Sequence, residues 1–130
     1  KLNIRFLGKQ KADEIASILA QTSFFVHPSY IDNSPNSVSE AMVVGTPVIA
    51  TNVGGIPGMI IDHETGWLFQ EGDARMLAGL IIDLISQPEI VEKVAGAGQQ
   101  VARHRHHPET VVTQLLAAYR DIFKQIDNQN

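Results

Sequence analysis

Apolar positions along the chain alternate between short continuous runs and longer stretches with helical spacing. Residues 3–7 (NIRFL) form a strand-like run closed by Gly8, and from Ala12 the spacing becomes that of a helix through Ile15, Ile18 and Leu19. Phe24, Phe25 and Val26 make a second strand, ended by His27-Pro28-Ser29 and by the turn-forming stretch Asp32-Asn33-Ser34-Pro35-Asn36-Ser37. A short helix is predicted over residues 38–44, stopped by Gly45 and Pro47, and residues 48–51 (VIAT) make a third strand. Three glycines and a proline within residues 52–58 exclude a regular element there, and a helical turn is expected at residues 59–61. After a turn through residues 62–66, Trp67-Leu68-Phe69 is a fourth strand. Leu77, Leu80, Ile81, Leu84 and Ile85 then mark one helix, and Val91, Val94, Ala95, Val101 and Ala102 mark a weaker one with Pro88 in its first turn. The last helix, from about Pro108, carries Val112, Leu115, Leu116, Tyr119, Phe123 and Ile126 on one side and needs a partner surface.

Strands alternating with helices imply parallel β-α units, and non-alternating apolar strands suit a sheet covered on both faces. The expected fold is therefore α/β: a Rossmann-like parallel sheet with flanking helices. At 130 residues, 44% hydrophobic, the chain holds one core and one domain, residues 1–130, with its terminal helices from about residue 88 to 126. A net charge of −4 without a long basic run argues against nucleic acid as a partner. No apolar run reaches the ~20 residues of a membrane span. With no cysteine there is neither a disulfide framework nor a thiolate metal site, and an intracellular, cytoplasmic setting is the default.

In such sheets ligands bind beyond the carboxyl ends of the strands. The loop after Val26 leads directly into a helix whose first free N–H groups, those of Asn36, Ser37 and Val38, suit an anion such as phosphate. Asp32 and Glu40 frame this loop, and carboxylates are good acceptors for sugar hydroxyls. Each has a plainer reading. Ser37-Val38-Ser39-Glu40 matches a capping box, in which Glu40 folds back onto the backbone, and Asp32 has the right chemistry for an Asx turn. Gly54 and Gly55 serve either the turn alone or the approach of a ligand to the backbone. No metal-ligand cluster is seen. The run Arg103-His104-Arg105-His106-His107 reads as a solvated linker between helices, and His27 as a strand-end residue at the crevice.

Pro28-Ser29, the segment from Asp32 to Met42, Gly45-Thr46-Pro47-Val48-Ile49-Ala50-Thr51, Gly54-Gly55-Ile56-Pro57 and Thr65-Gly66-Trp67-Leu68-Phe69 together resemble the C-terminal domain of retaining glycosyltransferases of family 4, which have the GT-B fold. The resemblance covers nearly the whole chain. It implies a nucleotide-sugar donor as partner, used as a substrate, with no cofactor and no metal. Asp32 and Glu40 become the candidate catalytic pair, Asp32 toward the transferred sugar and Glu40 toward the ribose; Asn36, Ser37 and Val38 would face the diphosphate, and Gly54 and Gly55 would line the crevice. Asp32 stands where the family usually has glutamate, one methylene or roughly 1.5 Å longer. Gly58 takes a position often acidic. No lysine or arginine occurs between Ala12 and Ala74 to neutralise a diphosphate.

The family's domain also has two earlier β-α units, and a separate N-terminal domain binds the acceptor; the resemblance thus implies a fragment truncated at its N-terminal side, inactive alone. The family's sheet order places the absent strands between the first and second strands seen here, which implies exposed edges and leaves a homodimer through a sheet edge open. The implied reaction is transfer of a sugar to an acceptor hydroxyl with retention, by same-face attack, in polysaccharide or glycoconjugate biosynthesis. Two alternatives share the scaffold: a non-catalytic nucleotide-sugar-binding module, and another GT-B-like enzyme such as a sugar-nucleotide epimerase or a phosphorylase. A dinucleotide dehydrogenase is disfavoured because no Gly-x-Gly-x-x-Gly turn follows a strand.

Overall fold

A computed structural model describes residues 3–127; positions 1–2 and 128–130 of the expected domain lie outside the described residues. In chain order the elements are α1 (Ala12–Ala20), β1 (Phe25–His27), α2 (Asn36–Val44), β2 (Val48–Thr51), a 3-10 turn (Ile56–Gly58), β3 (Trp67–Phe69), α3 (Ala74–Ile85), α4 (Pro88–Arg105) and α5 (Pro108–Asp127). The three strands form one parallel sheet in the order β1-β2-β3, with Phe25 beside Val48 and Ile49 beside Trp67. The expected α/β arrangement is therefore observed.

β2 is central and buried at all four positions. Its β-branched residues suit a strand packed on both faces. Alternate side chains divide between two cores. Val48 and Ala50 join Leu19, Val38, Ala41, Met42, Ile56, Ile60 and Ala102 on the α1–α2 side, whereas Ile49 packs with Trp67, Phe69, Leu84 and Val94 on the α3–α4 side. α1 is tied to the turn before β2 by the buried Thr46, whose Oγ1 donates to the Leu19 carbonyl at 2.8 Å. α3 starts on Asp73, whose Oδ1 accepts the Met76 N–H at 2.8 Å. α4 has Pro88 in its first turn, where the missing N–H costs nothing.

Three expectations are corrected. Residues 3–7 belong to no strand: Phe6 is 94% exposed and Ile4 67%. A strand exists only through its ladder partner, and among the described residues the outer edge of β1 has none, this run included. The helical turn expected at residues 59–61 instead lies three residues earlier, over Ile56–Gly58, because the wholly buried Ile56 anchors it and its carbonyl accepts the Met59 and Ile60 N–H groups at 2.8 and 3.1 Å. The basic run is no linker in its first half, since Arg103, His104 and Arg105 form the last turn of α4, where cations meet the negative end of the helix dipole. Arg103 Nε and an Arg105 guanidinium nitrogen donate to the carbonyls of Val43 and Gly58, each at 3.2 Å.

The apolar side expected on the last helix is present on α5 and uncovered. Val112, Leu115, Leu116, Tyr119, Phe123 and Ile126 are all about half exposed or more.

Candidate functional site

His27, Thr51 and Phe69 end the three strands at one edge of the sheet. Two loops leave that edge side by side, residues 28–35 after β1 and residues 52–55 after β2. The first begins with Pro28, which removes one donor from the exposed strand end. Thr51, 1% exposed, holds the loop down: its Oγ1 donates to the Ser29 carbonyl at 2.7 Å. Ser29 in turn donates through Oγ to the Ile31 carbonyl at 3.0 Å.

The second loop is locked to the first through backbone. Gly55 N–H donates to the Asp32 carbonyl at 3.1 Å. A Cβ on Gly54 would lie 2.1 Å from the Asp32 carbonyl oxygen, and one on Gly55 would lie 1.7 Å from that of Asn33. Gly54 also has φ +52°, a left-handed conformation that glycine adopts without cost. The two glycines thus serve the approach of one loop to the other, a third possibility beyond the turn and the ligand weighed from sequence.

Asp32 is pinned at both oxygens. Oδ1 accepts the Ser34 N–H at 3.2 Å, the Asx turn of its plainer reading, and Oδ2 lies 3.3 Å from His27 Nε2. The two side chains are only partly covered, 18% exposed for His27 and 30% for Asp32, so the pair is open to solvent. The His27 ring is stacked on Phe25, with centroids 6.3 Å apart and planes at 22°.

α2 starts two residues earlier than expected, with Pro35 as its N-cap and no side-chain cap. Pro35 has φ −67°, the angle its ring fixes, so it enters the helix without rearrangement. The capping box on Ser37 therefore does not form, and the Glu40 side chain makes no hydrogen bond or ion pair among the described residues. Of the three expected donors, Val38 has its N–H on the Pro35 carbonyl at 3.1 Å and a side chain fully buried in the core. Asn36 and Ser37 are the first two helical positions, whose N–H groups have no intrahelical acceptor. Glu40 stands four residues further on, about 6 Å along the axis, exposed at the groove between α1 and α2 that Ile15, Ala16 and Val43 also line. Its Cα–Cβ bond leans toward the helix start and so toward the loop.

Asp32, Asn36, Ser37 and Glu40 follow one another along this one segment, from the loop after β1 into α2, with Gly54 and Gly55 packed against the loop, while Glu40 itself lines the groove between α1 and α2. Among the described residues no lysine or arginine bonds to either loop, and no group of three His, Cys, Asp or Glu side chains could hold a metal. No described helix is long and apolar enough to cross a membrane. Sequence reasoning missed two features: the His27–Asp32 contact, and the Thr51 clamp, whose partner Ser29 is 22 residues away with nothing local to signal it.

Comparison with known proteins adds the relationship. Residues 1–101 match the family described as Glycosyl transferases group 1. N-acetyl-alpha-D-glucosaminyl L-malate synthase of Bacillus anthracis is 30% identical over 125 residues, which cover 96% of this chain and 32% of that protein. Sucrose-phosphate synthase of Thermosynechococcus elongatus superposes with a TM-score of 0.83 at 30% identity, over 93% of this chain and 30% of that one. Anabaena Alr3699/HepE, solved in complex with UDP and glucose, does so with a TM-score of 0.80 at 25% identity, over 90% and 32%. The chain thus spans about a third of the length of these relatives, and it belongs to the glycosyl transferases group 1 family.

Proposed function

We propose that this chain is the donor-binding part of a retaining glycosyltransferase that moves a sugar from a nucleoside diphosphate to an acceptor hydroxyl, in polysaccharide or glycoconjugate synthesis. The observation that carries the reading is the loop between β1 and α2: a pinned carboxylate, an open helix start and a second, unengaged carboxylate follow one another along nine residues, Asp32 to Glu40. The complex of Anabaena Alr3699/HepE with UDP and glucose supports it, because that protein shares the fold over 90% of this chain.

Asp32 takes a hydroxyl of the transferred sugar, Glu40 the ribose, and the N–H groups of Asn36 and Ser37 the diphosphate, with Val38 contributing only through its shared amide. Gly54 and Gly55 flank the site. The donor is a substrate, and no cofactor or metal is invoked. Same-face attack requires little covalent work from the protein: the leaving diphosphate oxygen takes the acceptor proton, and fixed dipoles stabilise the charge that develops on it. The acceptor site and the cations opposing the diphosphate belong to the family's other segments, and the open edge of β1 is where a second copy would pair.

Calorimetric titration with UDP-, GDP- and ADP-glucose and the matching diphosphates tests the reading. The expected affinity is weak, Kd on the order of 0.1–1 mM, or about 4–5.5 kcal/mol of binding, because helix amides act there without cations. Glu40→Ala should weaken every nucleotide, whereas Asp32→Ala should weaken the sugar forms relative to the bare diphosphates. Equal loss of bare-nucleotide affinity in both variants refutes the division of roles, and submicromolar binding refutes the account of the phosphate site.

A further inference from the structure

We propose that His27 is a positioning residue for donor discrimination, which sets the direction of the Asp32 carboxylate through its Nε2; the inference rests on the donor-binding reading above. An aspartate at the tip of a loop has two freely turning torsions, and its two oxygens are interchangeable to a ligand. Here both oxygens are committed, Oδ1 to the Ser34 N–H at 3.2 Å and Oδ2 to His27 at 3.3 Å. The Ser34 bond lies within the same loop and moves with it. The His27 bond ties the carboxylate to the sheet, because His27 is the last residue of β1, paired with Ala50 and stacked on Phe25.

An ionised carboxylate only accepts, so the proton lies on Nε2, which leaves each carboxylate oxygen with a lone pair for a sugar hydroxyl. The outcome is a carboxylate offered to the crevice in one orientation. A sugar whose hydroxyls do not meet that orientation forfeits a charge-assisted hydrogen bond. His27 touches the reacting sugar at no point in this scheme; it acts through Asp32.

The variants separate this role from packing. His27→Phe keeps an aromatic ring on Phe25 and removes Nε2, whereas His27→Gln places an amide nitrogen the same number of bonds from Cα and restores a donor. Each is titrated, as the 130-residue chain, with UDP-, GDP- and ADP-glucose and with the corresponding diphosphates, alongside Asp32→Ala. For the nucleotide that binds, His27→Phe should raise the ratio of the sugar-form Kd to the diphosphate Kd by about fivefold or more, the scale of one ordinary net hydrogen bond, and His27→Gln should bring it at least halfway back. Long-range nitrogen–proton NMR of the unliganded chain should show His27 held with its proton on Nε2, and that preference should relax in Asp32→Ala.

A ratio that rises in Asp32→Ala but not in His27→Phe overturns the positioning role and leaves the donor reading standing. A His27 ring without tautomer preference in the wild-type chain overturns it as well. No binding of any probe, or an Asp32→Ala variant with an unchanged ratio, removes the donor reading and this inference with it. An unfolded His27→Phe chain leaves the NMR arm and the His27→Gln titration to decide between these outcomes.

Discussion

Gly55→Ala is the sharpest test of how the two loops make the site. Gly55 has φ −90° and ψ −3°, an allowed turn conformation outside the left-handed region that favours glycine, so the substitution carries little backbone strain of its own. Its whole cost is the methyl group, which would lie 1.7 Å from the Asn33 carbonyl oxygen and 2.8 Å from the carbonyl carbon. Both are backbone atoms and cannot swing aside, so the loops must separate by about 1.3 Å or more to reach tolerable contact. That displacement breaks the 3.1 Å hydrogen bond from Gly55 N–H to the Asp32 carbonyl. Overpacking costs ~1–3 kcal/mol and the lost bond ~1 kcal/mol; because the loops lie at the surface and can yield, a total of about 2–3 kcal/mol is expected. For a chain of this size that lowers the melting temperature by roughly 6–15 °C.

Gly58→Ala is the internal control, since a Cβ there meets nothing within 4 Å and should leave melting within a few degrees of wild type or raise it slightly. Thermal denaturation followed by circular dichroism reads both. If Gly55→Ala melts with wild type and with Gly58→Ala, the close approach of the loops is wrong and so is the assignment of both glycines to it.

Thr51→Val keeps the shape of a buried residue but removes the donor to Ser29, so chemical denaturation should show a loss of about 1–3 kcal/mol; an unchanged midpoint would mean that nothing depends on the clamp. The paired Glu40→Ala and Asp32→Ala titrations should separate, with about a tenfold or greater loss of nucleotide affinity in the first and a change confined to the sugar forms in the second. A chain ended after His107 should melt within about 3 °C of the full one, because the apolar side of α5 is half exposed and contributes little to the core; a drop beyond about 8 °C would show that α5 is packed more deeply than its exposure indicates.

What the sequence made legible was whatever a local pattern decides. Val48-Ile49-Ala50-Thr51 is a strand because four apolar or β-branched residues between a proline and a glycine-rich turn have no other good conformation, and all four are buried. Leu77, Leu80, Ile81 and Leu84 announce α3 by spacing, and the structure turns those residues toward Trp67 and Phe69. The site loop was legible for the same reason, since Asp32 to Ser37 is almost entirely turn-forming residues. Residues 3–7 have strand chemistry as good as that of β1, yet pairing depends on a neighbour that a local pattern does not contain. The start of α2 misled in a different way. Ser37 and Glu40 satisfy the capping-box pattern, but Pro35 already has the angle of a helix start and is buried there, and the helix takes the earlier position.

The least legible features are the ones that give the site its shape. Thr51 and Ser29 meet across 22 residues, and Gly55 meets Asp32 and Asn33 across more than 20; their residue types announce a buried hydroxyl and a crowded turn without naming what lies opposite. Exposed apolar side chains lie elsewhere, on residues 3–7 and one side of α5, and the outer edge of β1 has no strand partner among the described residues. β1 is the exception that joins the two regions. In a parallel pair the backbone groups of alternate residues face opposite sides, and Phe25 N–H already donates to the Pro47 carbonyl at 2.8 Å, which turns the N–H and C=O of Val26 outward. Val26 immediately precedes His27, so whatever pairs with that edge stiffens the strand end on which His27 holds Asp32. The His27–Asp32 contact thus joins the loop to the sheet, and on the proposed role of His27 a partner at that edge would alter donor discrimination through one three-residue strand.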